Sequence, residues 1–331
     1  MSEVLNKVIL ENPGKEEAVF STLVNEWLES ISNEVRDSTF MEYKRVANRF
    51  IIPELGNIRI SQITVETTRR FIIHLESLEN SYYHRPLSSN SIKHIYTILK
   101  QILKYGNQRK YFPVFGVIYK FSSNITQEGR CFPENDILKL TDFLTQTMTP
   151  RKYGVIVCIY TGIRIGELCA LKWKDFDLSK GIMHIRKTVK RIEAPQSSDK
   201  KYQLVLGFPK TDTSYRDIPI PHHLLEQLTR LHATIISDDC FFLNGKSDIF
   251  VDPRSYQRSF ERWLHQCELP PINFHSLRHS FASRCLQSGC DIKTLSELLG
   301  HSNPTITLKM YVHTTMEQKR KAVERLIPEN L

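Results

Sequence analysis

The sequence predicts a mainly α-helical chain in two domains, with a small antiparallel β-sheet near the start of the second. Three observations predict it. A length of 331 residues is enough for two separate cores. From Glu16 to Tyr111 the apolar residues recur almost entirely at helical spacing. The runs that read as strands are confined to I-M-H-I-R-K-T-V, Y-Q-L-V-L-G-F-P and Y-R-D-I-P-I, between Ile182 and Ile220.

Residues 1–15 read as an N-terminal tail, 16–121 as a helical domain, 122–131 as a linker and 132–331 as the second domain. Phe20, Leu23, Val24, Trp27, Leu28 and Ile31 form the stripe of a first helix. A second starts at the cap candidates Asp37 or Ser38 and is expected to end before Pro53. The third is entered near Thr64, with Glu66 in its first turn. The fourth follows S-S-N-S and buries Ile92, Ile95, Leu99 and Ile102. The polar stretch S-S-N-I-T-Q-E-G-R-C, with Gly129, makes the linker.

In the second domain, F-P-E-N-D-I-L-K-L opens a helix with Pro133 near its first turn. V-I-V-C-I-Y leads into T-G-I-R-I-G-E-L, and the first strand follows W-K-D-F-D. The Y-Q-L-V-L-G-F-P and Y-R-D-I-P-I runs read as two further strands joined by K-T-D-T-S. From P-H-H-L-L-E-Q-L to Leu326 the chain is mostly helical.

Composition narrows the function classes. No apolar run reaches the ~18 residues of a membrane-spanning helix, and M-S-E-V-L-N-K lacks a secretory core. The cysteines at 131, 158, 169, 240, 267, 285 and 290 form no C-x-x-C pair, which predicts reduced thiols in a cytoplasmic protein and no zinc site. A formal charge of +9 suits a polyanionic partner without singling out nucleic acid. A more pointed feature is the absence of any acidic residue between Asn80 and Gln127. Lys93, Lys100 and Lys104 share one face of the fourth helix there, opposite its apolar stripe. A merely solvated face usually mixes signs, so this one reads as DNA-facing.

The chemistry-bearing residues fall in ordered blocks. Arg164 and Glu167, in T-G-I-R-I-G-E-L, are spaced to share a helical face, where the carboxylate can hold the guanidinium. His275, Arg278 and His279 lie in H-S-L-R-H, and two guanidiniums can neutralise a phosphorane. His301 follows Gly300 at a helix C-terminus, with Pro304 beyond. Tyr311 comes after them, in a helix whose apolar face carries Ile306 and Met310. Lys210 lies between the first two blocks, in a strand-turn-strand segment. Singly, these residues also read as an ion pair, a helix cap and a core tyrosine. Together they surround a possible nucleophile with phosphate-binding groups, a set able to cut and rejoin DNA without a metal.

From about Phe132 to Val323 these blocks resemble the tyrosine recombinases, or phage integrase family. T-G-I-R-I-G-E-L is similar to the family's first arginine box, H-S-L-R-H-S-F-A-S to its H-x-x-R box, and L-G-H-S-N-P-T-I-T-L-K-M-Y-V-H to its terminal histidine-tyrosine box. The helical segment from Glu16 to Tyr111 looks like the family's core-binding domain. The resemblance implies a C-shaped, two-domain clamp on double-stranded DNA and a covalent 3′-phosphotyrosine at Tyr311. It implies that Arg164 and Arg278 bind the nonbridging oxygens and that His275 and His301 complete the cradle. Glu167 would orient its neighbours, and Lys210, with Lys200 and Lys201 as competitors, would protonate the leaving oxygen. The terminal segment carrying Met316, Ala322, Val323 and Leu326 would be a helix that docks on a neighbouring protomer, or one packed on its own domain. A homotetramer on synapsed recombination sites is implied, with an accessory excision or bending factor as a further partner. No cofactor and no metal are expected. A tail of about fifteen residues is too short for the extra arm-binding domain of many integrases, so a two-domain recombinase is expected.

Integrase of a mobile element is the preferred role by resemblance, with resolvase and inversion enzyme left open. Two other classes compete: a non-catalytic DNA-binding regulator on the same scaffold, and a metal-dependent phosphodiesterase using His275, His279, His301 and His313. The second lacks an H-E-x-x-H or a nearby aspartate cluster.

Overall fold

The computed structural model describes residues 18–80, 85–111, 121, 131–147, 149–194, 202–208, 212–303, 305, 307, 308 and 320. Several expectations fall outside them: the tail, linker residues 122–130, Lys200, Lys201, Lys210, Pro304, Ile306, Met310, Tyr311, His313 and the apolar positions of the terminal helix. The chain divides into two compact units, Met1–Asn124 and Ile125–Leu331, each with its own core.

In the first unit, α1 (Phe20–Ile31) buries Phe20, Leu23, Val24, Trp27 and Leu28, the stripe its spacing predicts. The second helix differs from expectation. It runs as α2 (Asp37–Val46), widens to a π turn over Ala47–Ile51 and continues through Pro53 as α3 (Ile52–Leu55). A proline lacks the N–H of an ordinary turn, and its ring clashes with the carbonyl four residues back. The wider turn, with the Ile52 N–H on the Ala47 carbonyl, resets the ladder so that Pro53 enters as if at a helix start. Helix α4 (Val65–Ser77) is capped at Thr64, whose hydroxyl accepts from the Thr67 N–H at 3.2 Å while the Thr67 hydroxyl accepts from the Thr64 N–H at 2.7 Å. A two-residue ladder, β1 (Glu79–Asn80) on β2 (Arg85–Pro86), is too short to leave a period-2 signal and is absent from the sequence reading. Helix α5 (Ser89–Gln108) begins inside S-S-N-S rather than after it, because Ser88 is its cap.

In the second unit, α6 (Glu134–Thr145) follows Pro133. Helix α7 (Pro150–Thr161) is apolar almost all round, and it packs against α6, α8 (Ile165–Ala170) and α11 (His275–Gln287). After α8 the chain forms two small antiparallel sheets rather than one. The first orders β3 (Phe176–Asp177), β4 (Ile182–Ile185) and β7 (Arg216–Pro219); the second pairs β5 (Thr188–Glu193) with β6 (Tyr202–Gly207). The I-M-H-I-R-K-T-V run is therefore two strands broken at Arg186–Lys187, and the Y-R-D-I-P-I strand pairs with β4, not with β6. Alternation explains the choice. Met183 and Ile185 of β4 bury on the same face as Ile218 and Arg216, their ladder partners, whereas Tyr202, Gln203 and Val205 of β6 are exposed and Leu204, Leu206 and Gly207 only half-buried. Helices α9 (His222–His232), α10 (Pro253–Gln266) and α12 (Ile292–Leu299) complete the unit. No helix of the described residues is long and apolar enough to cross a membrane.

Two glycines give the chain its shape near the site. Gly162 ends α7 at φ +64°, and a Cβ there would come within 2.3 Å of the Phe281 ring. Gly166 lets β5 approach α8: its Cβ would meet the Val189 carbonyl at 2.7 Å. Gly162→Ala combines a left-handed backbone with a filled space, and is expected to lower stability by about 2–4 kcal/mol. A urea midpoint that falls at constant slope would show this, and an unchanged midpoint would refute it.

Candidate active site at the end of helix α12

Helix α12 ends at Gly300, which takes φ +64° and donates its N–H to the Glu297 carbonyl. A helix terminus leaves carbonyls without intrahelical donors and carries partial negative charge. Here guanidinium groups fill that need. Arg216 donates through Nε to the Leu298 carbonyl at 2.7 Å, Arg278 through Nη2 to Leu299 at 2.6 Å, and Arg164 through Nη2 to Gly300 at 3.3 Å. Next comes His301, whose backbone N–H reaches Ser296 at 3.0 Å and whose Nδ1 shares a 2.8 Å hydrogen bond with the buried Thr307 hydroxyl.

The arginines reach this point by different routes. Arg164 caps α8 and keeps its side chain 36% exposed. Glu167 holds it twice, accepting its backbone N–H at 2.9 Å on Oε2 and its Nη1 at 2.8 Å on Oε1. Arg278, on α11, is only 2% exposed, and its Nη1 donates to the Gly162 carbonyl at 2.9 Å, so it joins the two glycine corners that precede Arg164 and His301. His275 opens α11, with its backbone N–H on Asn273 Oδ1 at 3.0 Å, and its ring lies edge-on to that of His279, 4.9 Å between centroids.

The sequence pairs Glu167 with Arg164 alone; the structure adds Arg216. Glu167 is 4% exposed and accepts Arg216 Nη2 at 2.8 Å and Nη1 at 3.2 Å, so this is no surface ion pair. Arg216, 8% exposed, also donates to the Ser214 carbonyl at 3.2 Å. Burial pushes the Glu167 carboxyl up, but Arg216 and then Arg164 outweigh it and hold its pKa at about 2. A signal for this pair does exist in the sequence. Arg216 shares one face of β7 with Ile218, and Glu167 directly precedes the apolar run L-C-A-L; two inward charges of opposite sign call for each other.

Desolvation first, then the charges around them, depresses both histidines. His279, Arg278 and Arg164 act on His275, and Arg278, Arg164 and Arg216 act on His301; each pKa is held at about 4. Both rings are therefore neutral near pH 7. The structure thus gathers Arg164, Glu167, His275, Arg278 and His301 around one helix end, while Lys210 and Tyr311 lie outside the described residues. Of the other sequence candidates, Lys100 and Lys104 are exposed on α5 and Lys93 is partly covered, with no ion pair to any of them among the described residues. Lys93 Nζ lies 5.8 Å from the Phe121 ring centroid and Lys100 Nζ 5.1 Å from that of Tyr96. Among the described residues no group of histidine, cysteine, aspartate and glutamate is placed to hold a metal.

Acid sensitivity follows from the histidines. Between pH 6.5, where an unfolded histidine titrates, and about pH 4, where these two do, the unfolded chain binds more protons and stability falls as pH falls. Urea midpoints measured across that window are expected to drop less steeply in a His275→Gln/His301→Gln variant than in the parent. Equal slopes would show that these rings are not depressed.

Comparison with known proteins agrees with the geometry. Residues 130–318 match the family model of the Phage integrase family, and residues 19–75 that of the Phage integrase N-terminal SAM-like domain. The chain is 27% identical over 334 residues to "Tyrosine recombinase XerC-like" of Caldanaerobacter subterraneus subsp. tengcongensis, covering 94% of this chain and 83% of that protein. It is 24% identical over 320 residues to the ICEBs1 integrase of Bacillus subtilis, covering 93% and 82%. In fold it is similar to the Tn1549 transposon integrase in complex with a circular intermediate DNA, with a TM-score of 0.75 at 19% identity, covering 94% of this chain and all (100%) of that one. The family match spans the arginines and histidines converging on the end of α12: the chain belongs to the phage integrase family and is a site-specific DNA recombinase of the tyrosine-recombinase type.

Proposed function

We propose that this recombinase is the integrase of a mobile element, acting in the cytoplasm through a covalent 3′-phosphotyrosine at Tyr311. The observation that supports the reading best is the convergence of Arg164 and Arg278 on adjacent carbonyls, beside His275 and His301. Tyr311 gives up its phenolic proton to solvent as its oxygen attacks the scissile phosphorus; the P–O bond to tyrosine forms and the bond to the 5′ oxygen breaks. Arg164 and Arg278 bind the nonbridging oxygens as negative charge builds on them, and the neutral His275 and His301 rings add hydrogen bonds. Glu167 orients Arg164. Lys210 gives its proton to the departing 5′ oxygen. The 5′ hydroxyl of a second strand then attacks the phosphotyrosine, which has kept the energy of the phosphodiester, so rejoining needs no nucleotide.

In the same reading, residues 16–121 form the core-binding domain and 132–331 the catalytic domain, joined by 122–131, and both bind duplex DNA. Lys93, Lys100 and Lys104 face its phosphates, a reading supported by the lack of an ion pair to any of the three among the described residues. A homotetramer assembles on two synapsed sites, and an accessory excision or bending factor sets the direction of the reaction. The mobile-element role is supported by similarity to the ICEBs1 and Tn1549 integrases.

The decisive experiment incubates the protein with nicked duplexes from DNA flanking its gene, in EDTA, and looks for a covalent adduct after denaturation. Wild type is expected to form the adduct and Tyr311→Phe to bind the same DNA without forming it. A strict requirement for a divalent metal, or an adduct undiminished in Tyr311→Phe, would overturn the mechanism. Binding without any adduct would favour the non-catalytic regulator.

A Lys93→Ala/Lys100→Ala/Lys104→Ala variant tests the α5 face. Its plot of log affinity against log salt is expected to flatten by up to about 3 units of slope, roughly 0.9 for each lost phosphate contact. An unchanged slope by fluorescence anisotropy would remove these lysines from the interface.

A further inference from the structure

We infer that Arg216 is a positioning residue for strand cleavage, which takes up the charge of Glu167 so that the charge of Arg164 is left for the DNA phosphate. The inference rests on the reading of Arg164 as a phosphate ligand. One carboxylate serves two guanidiniums here. Glu167 Oε2 accepts from Arg216 Nη2 at 2.8 Å and Oε1 from Arg164 Nη1 at 2.8 Å. Both Glu167 and Arg216 are almost wholly buried, whereas Arg164 is the partner left exposed at 36%. Without Arg216, Glu167 and Arg164 would form a neutral pair. A neutral pair stabilises an oxyanion far less than a net cation does. With Arg216 present, two guanidiniums face one carboxylate and a full positive charge remains, on the member of the trio that is exposed.

Arg216 also fixes where that charge sits. Its remaining bonds run to the Leu298 carbonyl at 2.7 Å and the Ser214 carbonyl at 3.2 Å. Gly300 lies against it so closely that a Cβ there would come within 3.0 Å of Arg216 Nη1. One buried fork therefore ties together the N-terminus of α8, the end of α12 just before His301, and the 212–214 turn on the chain that leads from Lys210 into β7. A planar fork with several donors can do this, and a lysine ammonium on a single stem cannot reproduce it all.

The test is single-turnover cleavage of a nicked site at saturating DNA. It compares wild type, Arg216→Met, Arg216→Lys and Glu167→Gln/Arg216→Met, each checked for folding and for DNA affinity. Arg216→Met is expected to cleave about 100-fold more slowly, the scale of losing one oxyanion-stabilising group, with affinity within about threefold of wild type. Arg216→Lys, which keeps the charge, should fall between the two. The double variant removes both charges of the buried pair and should regain at least about tenfold over Arg216→Met. A methylphosphonate at the scissile position lacks one negative charge, so on it the deficit of Arg216→Met should shrink, which a purely structural defect would not produce. Wild-type rates in Arg216→Met, or a folded double variant no faster than Arg216→Met, would overturn the inference. If Arg216→Met does not fold, the double variant is compared with wild type. A rate within about tenfold supports the inference, and a folded double variant more than about 100-fold slower refutes it. Absence of an adduct in wild type would overturn the functional reading on which the inference rests, and with it the inference.

Discussion

The end of helix α12 is the point on which the described site depends. Leu298, Leu299 and Gly300 present carbonyls that the helix itself cannot satisfy, and Arg216, Arg278 and Arg164 satisfy them in turn. Backbone carbonyls hold a guanidinium in place without cancelling its charge, as a carboxylate would. Three arginines are fixed in this way against one buried carboxylate, Glu167. The end of α12 beside His301 is therefore a fixed concentration of positive charge, which suits a phosphate passing through a more highly charged transition state.

The histidines fit the same electrostatics. Adding a proton to His275 or His301 would charge a ring that is largely out of water and then set it among other cationic groups, so both remain neutral around pH 7 and offer hydrogen bonds rather than charge. Their placement is mechanical as well. His275 is the first residue of α11, the helix that carries Arg278, and His301 follows the left-handed Gly300. Gly162, the other left-handed corner, aims the chain into Arg164 and offers its carbonyl to Arg278. Two glycine turns and one helix end thus place the described members of the site, which is why elements far apart in sequence must fold together before any of them is positioned.

Much of this was legible in advance. Helix α1 lies over the stripe from Phe20 to Ile31, and α4 begins behind Thr64, because a buried helical face and a capping hydroxyl are local requirements that leave local marks. The blocks around Arg164, His275, Arg278 and His301 could be read in order for a similar reason: their spacing on single helices or turns is local. The path through Pro53 was not legible, since a π turn upstream absorbs what a proline normally ends. Nor was the pairing of β7 with β4. Period-2 alternation tells which face of a strand is buried but is silent on which strand lies beside it.

By itself the sequence determined the helical character of both units, the presence of short strands in the second, the family, and the arginines and histidines that meet at the end of α12. Only the tertiary structure decided how those residues are held. Glu167 and Arg216 are 49 residues apart, Arg216 and Leu298 82, and Arg164 and Gly300 136. Alternation on β7 marks Arg216 as inward, but no periodicity and no neighbouring cap announces which residue it meets at such a separation. The contacts follow from burial: a charge enclosed in the core must find its partners wherever the fold brings them.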